Sequence, residues 1–197
     1  MNVLQRSITL LCIATIPGAL AAPPDAALID ALRAGAITIY FRHASTNRMQ
    51  ADLKDVAPGD CSNQRNLNDE GRAEARAVGE ALRALGVTLG EVLSSPYCRT
   101  MDTARLFAGR ATASRAVLGS MTSGRLDYSE LDRLLATPPP AGQVRVIVSH
   151  GNQLQALAGD PELREGEAAV IRGDGERWKV LARIRAQEWP APAAGPK

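Results

Sequence analysis

The sequence contains few aromatic residues: two Trp, three Tyr and two Phe among 197 positions. This scarcity argues against a surface on which the bases of single-stranded nucleic acid would stack. The formal net charge is only +2, so it gives no reason to expect nucleic acid or an anionic membrane as a partner. Any binding of an anion must therefore come from a local cluster of arginines.

Long apolar runs are also missing from the sequence. The run near the N-terminus, Ile8–Ile16, is too short for the ~20 residues that span a bilayer. Arg6 precedes it, and Ala19-Leu20-Ala21 follows it as an A-x-A cleavage pattern. We expect residues 1–21 to be a cleaved signal peptide that directs the protein to the periplasm or out of the cell. The alternative is an amphipathic or buried N-terminal helix.

The remaining chain has the length of one domain, which we assign to residues 22–189. Residues 190–197 consist of Pro, Ala, Gly and Lys, have nothing to bury, and are predicted to be a disordered tail. Because no other stretch approaches membrane-spanning length, we expect no membrane insertion of the mature chain. The sequence leaves the oligomeric state open.

Cysteine is scarce, with three residues, and Cys12 would be removed with the signal peptide. The remaining pair, Cys61 and Cys98, predicts a disulfide in an oxidising compartment. The alternative is two buried thiols, because a bridge requires close Cα atoms. A structural zinc site needs four Cys or His ligands at close spacing, a pattern that the cysteines and histidines of this chain lack. We therefore expect no metal ion and no other cofactor.

Apolar runs rich in β-branched residues alternate with amphipathic segments along the domain. Residues 36–41 and 144–148 are typical of strands buried on both faces of a parallel sheet. A helix is predicted over about residues 68–85. Asp174-Gly175 predicts a terminal hairpin, and a short strand is a further possibility near residues 116–118. The alternation predicts an α/β fold, a three-layer α/β/α sandwich with a mostly parallel central sheet.

The chain has only two histidines, and each directly follows one of these strands. His43 comes after Tyr40-Phe41-Arg42, and His150 comes after Ile147-Val148-Ser149. In open α/β sheets, ligands bind outside the carboxyl ends of the strands, so histidines from separate strands can converge on one site. A lone histidine would more often be a packed or exposed ring, but two in equivalent positions favour a functional pair.

Four motifs around these histidines resemble, in order, those of the histidine phosphatase superfamily, the phosphoglycerate mutase-like proteins. They are Arg42–Thr46 (R-H-G-x-[ST] in the family, with Ala44 where Gly is usual), Leu67–Ala75, Ser94–Ala104 and Ser149–Asn152. Together they extend over about residues 36–157. The resemblance implies the phosphoglycerate mutase-like fold, and the chain resembles the small exported or periplasmic phosphatase branch of the family.

The same resemblance implies a metal-independent phosphomonoester hydrolase of the histidine acid type, in which His43 attacks phosphorus and becomes a phosphohistidine. Arg42 and Arg99 suit the phosphate because guanidinium groups bind its oxygens in a planar, bidentate manner. His150, expected to be protonated, would stabilise charge in the transition state. The expected partner is a small phosphorylated substrate outside the cytoplasm.

The leaving alcohol needs a proton, and the sequence does not identify the donor unambiguously. We favour Glu167, at the start of the first strand of the terminal hairpin, over Asp127 and Glu130. Thr46 and Ser95 are candidates for hydroxyl contacts with the phosphate, and the alternative role for both is a turn or cap hydrogen bond.

Only 51 positions separate Arg99 from His150, which leaves little room for a covering domain and favours an open hydrolase pocket. Two other functions stay open. One is a phosphoryl-binding module of the same fold without turnover, because the acid is unassigned. The other is a phosphomutase, which export from the cytoplasm disfavours. Gln64 and Arg65 either contact the substrate or belong to a solvated loop.

Overall fold

The computed structural model describes residues 24–53, 57, 59–118, 120–122 and 125–191. The predicted signal peptide lies outside these ranges, and so does the predicted tail apart from its first two residues. Within them, no helix is long and apolar enough to cross a membrane.

A six-stranded sheet forms the middle of the protein. Its strands are β1 (Ile37–Arg42), β2 (Leu89–Ser94), β3 (Thr112–Ala113), β6 (Val144–Ser149), β7 (Glu167–Gly173) and β8 (Trp178–Arg185). A separate hairpin contains β4 (Ser120–Thr122) and β5 (Arg125–Asp127). The spatial order is β3-β2-β6-β1-β7-β8, and β7 alone runs opposite to the other five strands. The prediction of a mostly parallel sheet is confirmed.

Five α-helices flank the sheet in the described part of the chain. They are α1 (Ala26–Ala34), α2 (Asp69–Ala84), α3 (Cys98–Ala108), α4 (Ser129–Ala136) and α5 (Gly151–Ala158). The first two begin at side chains that cap free backbone N–H groups. Asp25 accepts a hydrogen bond from the Leu28 N–H at 2.8 Å, and Asn68 accepts one from the Gly71 N–H at 2.8 Å. The helix predicted over residues 68–85 is therefore present.

The sheet separates two apolar cores, because alternate side chains of a strand point to opposite faces. In β1, Ile39 and Phe41 belong to the larger core, to which α1, α2 and α3 contribute. Tyr40 belongs to the smaller core, together with apolar side chains of α4 and α5. Helices on both faces of one sheet make the three-layer α/β/α sandwich that the sequence predicts.

Gly71 brings the start of α2 against the loop that follows β1. A Cβ atom at this position would collide with the backbone of Ser45. The Asn68 N–H donates to the Ser45 carbonyl oxygen at 3.2 Å, and the Ser45 N–H donates to the Glu74 carboxylate at 3.0 Å. These contacts fix the path of the chain just after His43.

The stretch after α3 differs from the strand considered for residues 116–118. The structure has a turn there, in which the Leu118 N–H donates to the Arg115 carbonyl oxygen at 3.0 Å. Val117 is fully buried in the smaller core. Its apolar character therefore reflects the packing of a turn and not the pairing of a strand.

Candidate active site

Backbone hydrogen bonds bring the ends of three parallel strands to one edge of the sheet. Arg42 at the end of β1 is paired with Ser149 at the end of β6, and the His43 N–H donates to the Ser149 carbonyl oxygen at 3.0 Å. The Ser95 N–H, directly after β2, donates to the Val148 carbonyl oxygen at 2.9 Å. The residues that follow these strands therefore lie side by side.

His43 is 2% exposed, and the centroid of its ring lies 5.5 Å from that of His150. Its Nδ1 lies 3.0 Å from the Ala44 carbonyl oxygen. Because a carbonyl can only accept, Nδ1 carries the proton and Nε2 keeps a free lone pair. Burial, assisted by the charges of Arg99 and Arg42, lowers the pKa of His43 to about 3, so the ring is neutral near pH 7.

His150 follows β6 and is held by several neighbours. Its Nε2 lies 3.1 Å from Ser95 Oγ, and its carbonyl oxygen accepts a hydrogen bond from the Tyr40 hydroxyl at 2.7 Å. The Tyr97 ring lies edge-on to the imidazole, with centroids 5.3 Å apart. Burial and the charge of Arg99 lower the pKa of His150 to about 2. Without a ligand this ring is therefore neutral, in contrast to the protonated form expected from the sequence.

Three arginines near the histidines are each paired with a carboxylate. The pairs, with their N–O distances, are Arg42–Glu162 at 2.8 Å, Arg65–Glu165 at 3.7 Å and Arg99–Asp52 at 2.9 Å. The Nε atoms of all three arginines are buried and lack a hydrogen-bond partner in the described residues. A buried donor without a partner costs free energy, so the described residues do not fully satisfy these three guanidinium groups.

An open cavity of about 640 Å³ lies at this edge of the sheet. The four residues predicted to act on phosphate, Arg42, His43, Arg99 and His150, all line it, and so does Arg65. The structure therefore brings these five side chains to one site. Within the described ranges, no group of three or more His, Cys, Asp or Glu residues is arranged to hold a metal ion.

Glu167, our preferred proton donor, does not line this cavity. It is 4% exposed, and its carboxylate accepts hydrogen bonds from the Arg183 guanidinium at 2.9 and 3.1 Å and from the Arg164 N–H at 2.7 Å. Burial alone would raise the pKa of Glu167, but these hydrogen bonds and the charge of Arg183 bring it below its ordinary value. The carboxylate is thus an ionised anchor between β7 and β8.

Of the other candidates predicted from the sequence, Glu130 alone lines the cavity, and it is exposed. Asp127 is absent from the cavity wall and accepts a hydrogen bond from the Ser129 N–H at 2.8 Å. Thr46 also lies outside the wall, and its hydroxyl donates to the Glu165 carboxylate at 3.0 Å. Ser95 is fully buried beside His150 and contacts that ring.

The structure contains the predicted disulfide between Cys61 and Cys98, whose Cα atoms are 5.6 Å apart. It joins the loop after β1 to the first residue of α3, directly before Arg99. Gln64 adds to this junction, because its Oε1 accepts a hydrogen bond from the Cys98 N–H at 2.9 Å. The Gln64 side chain is buried and therefore supports the loop.

Asp52 couples the same loop to the arginines of the cavity. Its carboxylate accepts hydrogen bonds from the Arg65 N–H and from the Arg99 guanidinium, each at 2.9 Å. Sequence reasoning missed Asp52, because no motif or spacing distinguishes this loop carboxylate. Tyr97 was also missed, although it stands inside the Ser94–Ala104 motif, and its ring lies 4.7 Å from the Arg99 guanidinium carbon.

Comparison with known proteins supplies a family match and several similar folds. The sequence profile of the histidine phosphatase superfamily, branch 1, matches residues 39–118. A search of curated protein sequences gives no match.

Among solved structures, the protein histidine phosphatase SixA in complex with tungstate is 15% identical, with a TM-score of 0.57 over 78% of this chain and 99% of that one. A candidate phosphohistidine phosphatase SixA from Agrobacterium tumefaciens is 21% identical, with a TM-score of 0.51 over 75% and 96%. A mycobacterial glucosyl-3-phosphoglycerate phosphatase with inorganic phosphate is 18% identical, with a TM-score of 0.52 over 77% and 98%. At these identities the similarity defines the fold, which is phosphoglycerate mutase-like.

The lowered pKa values of His43 and His150 predict that the folded protein loses stability on acidification already at pH values well above those at which most carboxylates titrate. In the unfolded chain both rings have the ordinary pKa of 6.5 and bind protons below it, whereas the folded protein keeps them neutral to about pH 3. Unfolding therefore takes up protons in this window, and the free energy of unfolding falls as the pH drops from 7 to 4.5. Urea titrations in phosphate-free buffers measure this slope, which should be smaller in His43→Asn and His150→Asn. Equal slopes in wild type and both variants would contradict the assignment.

Reduction of the disulfide should lower both stability and oxyanion affinity. A bridge across a sequence separation of 37 residues contributes about 3–4 kcal/mol by restricting the unfolded chain. The freed loop also carries Asp52 and Arg65, so orthophosphate should bind more weakly. Urea unfolding and calorimetric titration with orthophosphate, each with and without reductant, test both effects. The double variant Cys61→Ala/Cys98→Ala is the control, since it should not respond to reductant. Unchanged phosphate affinity after reduction would show that the bridge does not support the site.

Proposed function

We propose that the protein is a member of the histidine phosphatase superfamily that hydrolyses phosphomonoesters through a phosphohistidine intermediate, without a metal ion. One observation carries the proposal: His43, neutral and with its proton on Nδ1, lines a single cavity together with Arg42, Arg99 and His150. A neutral nucleophile among cations suits attack on a phosphate dianion. The family profile over residues 39–118, and the phosphatase activities named for the structural neighbours, support the same function.

In the first step, His43 Nε2 forms a bond to phosphorus while the bond from phosphorus to the leaving oxygen breaks. Arg42 and Arg99 hold the phosphoryl oxygens, and their fixed positive charges stabilise the transition state. A bound dianion favours the charged form of a neighbouring imidazole, so the pKa of His150 rises when substrate binds. The protonated ring then donates a hydrogen bond to a phosphoryl oxygen, which reconciles the expected charge with the neutral unliganded state.

Glu130 is our choice of proton donor, because it lines the cavity and Glu167 does not. Protonated Glu130 transfers its proton to the leaving oxygen and releases an alcohol. In the second step, the Glu130 carboxylate takes a proton from the water that attacks phosphorus, the bond from phosphorus to His43 breaks, and inorganic phosphate leaves. The cations come entirely from side chains, so the scheme needs no cofactor.

We also assign the activity to an extracytoplasmic compartment, on two grounds. The first is the predicted signal peptide at residues 1–21. The second is the Cys61–Cys98 bridge, since disulfides persist mainly in oxidising compartments. Such a location disfavours a phosphomutase and favours hydrolysis of phosphate esters outside the cytoplasm.

The central test is a turnover and trapping experiment with 4-nitrophenyl phosphate. Wild-type protein should release nitrophenol. When the phosphoryl group of the substrate is labelled, the protein should carry this label in a form that survives alkali and is lost in acid. His43→Ala should lose about 10³-fold or more in kcat and carry no label. Arg133→Ala, an exposed position on α4 outside the cavity wall, is the matched control and should behave as wild type. Tight phosphate binding without any turnover would instead favour a phosphoryl-binding module.

The donor assignment predicts a dependence on the leaving group. With glycerol 2-phosphate, whose alcohol leaves poorly, Glu130→Gln should lower kcat by about 10²-fold. With 4-nitrophenyl phosphate the loss should be much smaller, because nitrophenolate leaves without protonation. Glu167→Gln should reduce thermal stability, since it removes the charge that pairs with Arg183, but it should show no such dependence. A leaving-group effect for Glu167→Gln and none for Glu130→Gln would reverse the assignment.

A further inference from the structure

A fourth arginine, Arg115, lines the same cavity. The other three arginines of the wall each lie within ion-pair distance of a carboxylate. Arg115 has no carboxylate within that distance in the described residues, and its side chain is exposed. Its charge is thus not committed to another side chain of the described protein.

The turn that follows Arg115 is hydrogen-bonded to residues on both sides of His150. Ser149, directly before His150, donates its hydroxyl to the Val117 carbonyl oxygen at 2.6 Å. Gln153, in the first turn of α5, donates its amide to the Leu118 carbonyl oxygen at 3.1 Å. Because Val117 is also fully buried, the backbone of this turn has a fixed position relative to the candidate phosphate site. Arg115 therefore has a rigid base, which suits selective binding.

The same cavity wall also has an apolar and aromatic part. It includes Leu118, three positions after Arg115, and, from the segment before α4, Leu126 and Tyr128. Leu126 is 58% exposed, so this part of the wall offers apolar surface to a ligand in the cavity. A volume of about 640 Å³ lies in the range of pockets that enclose a whole small molecule, so the cavity has room for more than one phosphate group.

We propose that the substrates are phosphomonoesters whose leaving group combines an apolar or aromatic body with a second anionic group. The phosphate binds at the histidines, the body of the leaving group packs on Leu118, Leu126 and Tyr128, and Arg115 binds the second anion. This inference rests on the proposed phosphatase function and names the substrate class of that site. Glu130 and Glu162 also line the cavity; Glu162 is paired with Arg42, and Glu130 is the proposed proton donor. Arg115 is thus the cation of the wall that stays available for a second anion.

The test compares 3- and 4-carboxyphenyl phosphate with 3- and 4-carbamoylphenyl phosphate, which have a neutral amide of nearly the same shape. For the better isomer, wild-type protein should prefer the carboxylate by about 3- to 10-fold in kcat/KM, the range of a partly exposed, charge-assisted contact. Arg115→Ala should remove this preference, and Arg115→Glu should invert it. Arg133→Ala is again the control and should keep the wild-type ratio. No preference in wild type, or the same preference in Arg115→Ala, would overturn the inference.

A binding experiment distinguishes failure of this inference from failure of the proposed function. Calorimetric titrations with benzylphosphonate and its 3- and 4-carboxy derivatives, which cannot be hydrolysed, use the wild type and Arg115→Ala. Tighter binding of either carboxylated analogue that depends on Arg115 supports the second anion site, even if no ester is turned over. Equal binding of benzylphosphonate and both carboxylated analogues refutes that site, even if aryl phosphates are hydrolysed.

Discussion

The pairing of β1 with β6 is the interaction on which the rest of the site depends. It puts Arg42 opposite Ser149, and the His43 N–H extends the ladder by one hydrogen bond at 3.0 Å. The rings of His43 and His150 consequently lie 5.5 Å apart. A shift of one residue in this register would turn the side chains that follow to the opposite face. Both strands are buried between two apolar cores, one on each face of the sheet. Water therefore does not compete for the hydrogen bonds that hold this register.

Burial and the charges of the neighbouring arginines then determine the protonation state of the two histidines and the kind of ligand that the site can bind. Placing buried Arg99 and the partly buried Arg42 and Arg65 beside two histidines would be costly if each charge lacked a partner. Glu162, Glu165 and Asp52 offset that cost through the Nη atoms, while the buried Nε atoms have no partner in the described residues. The same burial and positive charge lower the pKa values of both imidazoles. A cationic site for an anion is thereby also a site in which the nucleophile stays unprotonated.

Much of the site was predictable, and the exceptions share a cause. Strand-end position and motif order identified His43 and His150 as a pair, and the structure brings both to one cavity. Glu167 begins a strand next to that edge, yet its carboxylate is bound by Arg183, which the pairing of β7 with β8 brings alongside it. Thr46 stands within a motif, but its hydroxyl binds Glu165. Strand position for Glu167 and motif membership for Thr46 located the backbone of each residue and left its side-chain partner undecided.

The sequence by itself determined the local elements and the order of the motifs. Caps such as Asp25 and Asn68, and apolar runs such as β1 and β6, act through residues close in the chain, so their pattern can be read directly. Only the tertiary structure decided which carboxylate holds each arginine and which acid reaches the cavity. Arg42 and its partner Glu162 are 120 positions apart. Charge pairing depends on distance in space, and that distance exists only once the sheet and its connecting loops have folded.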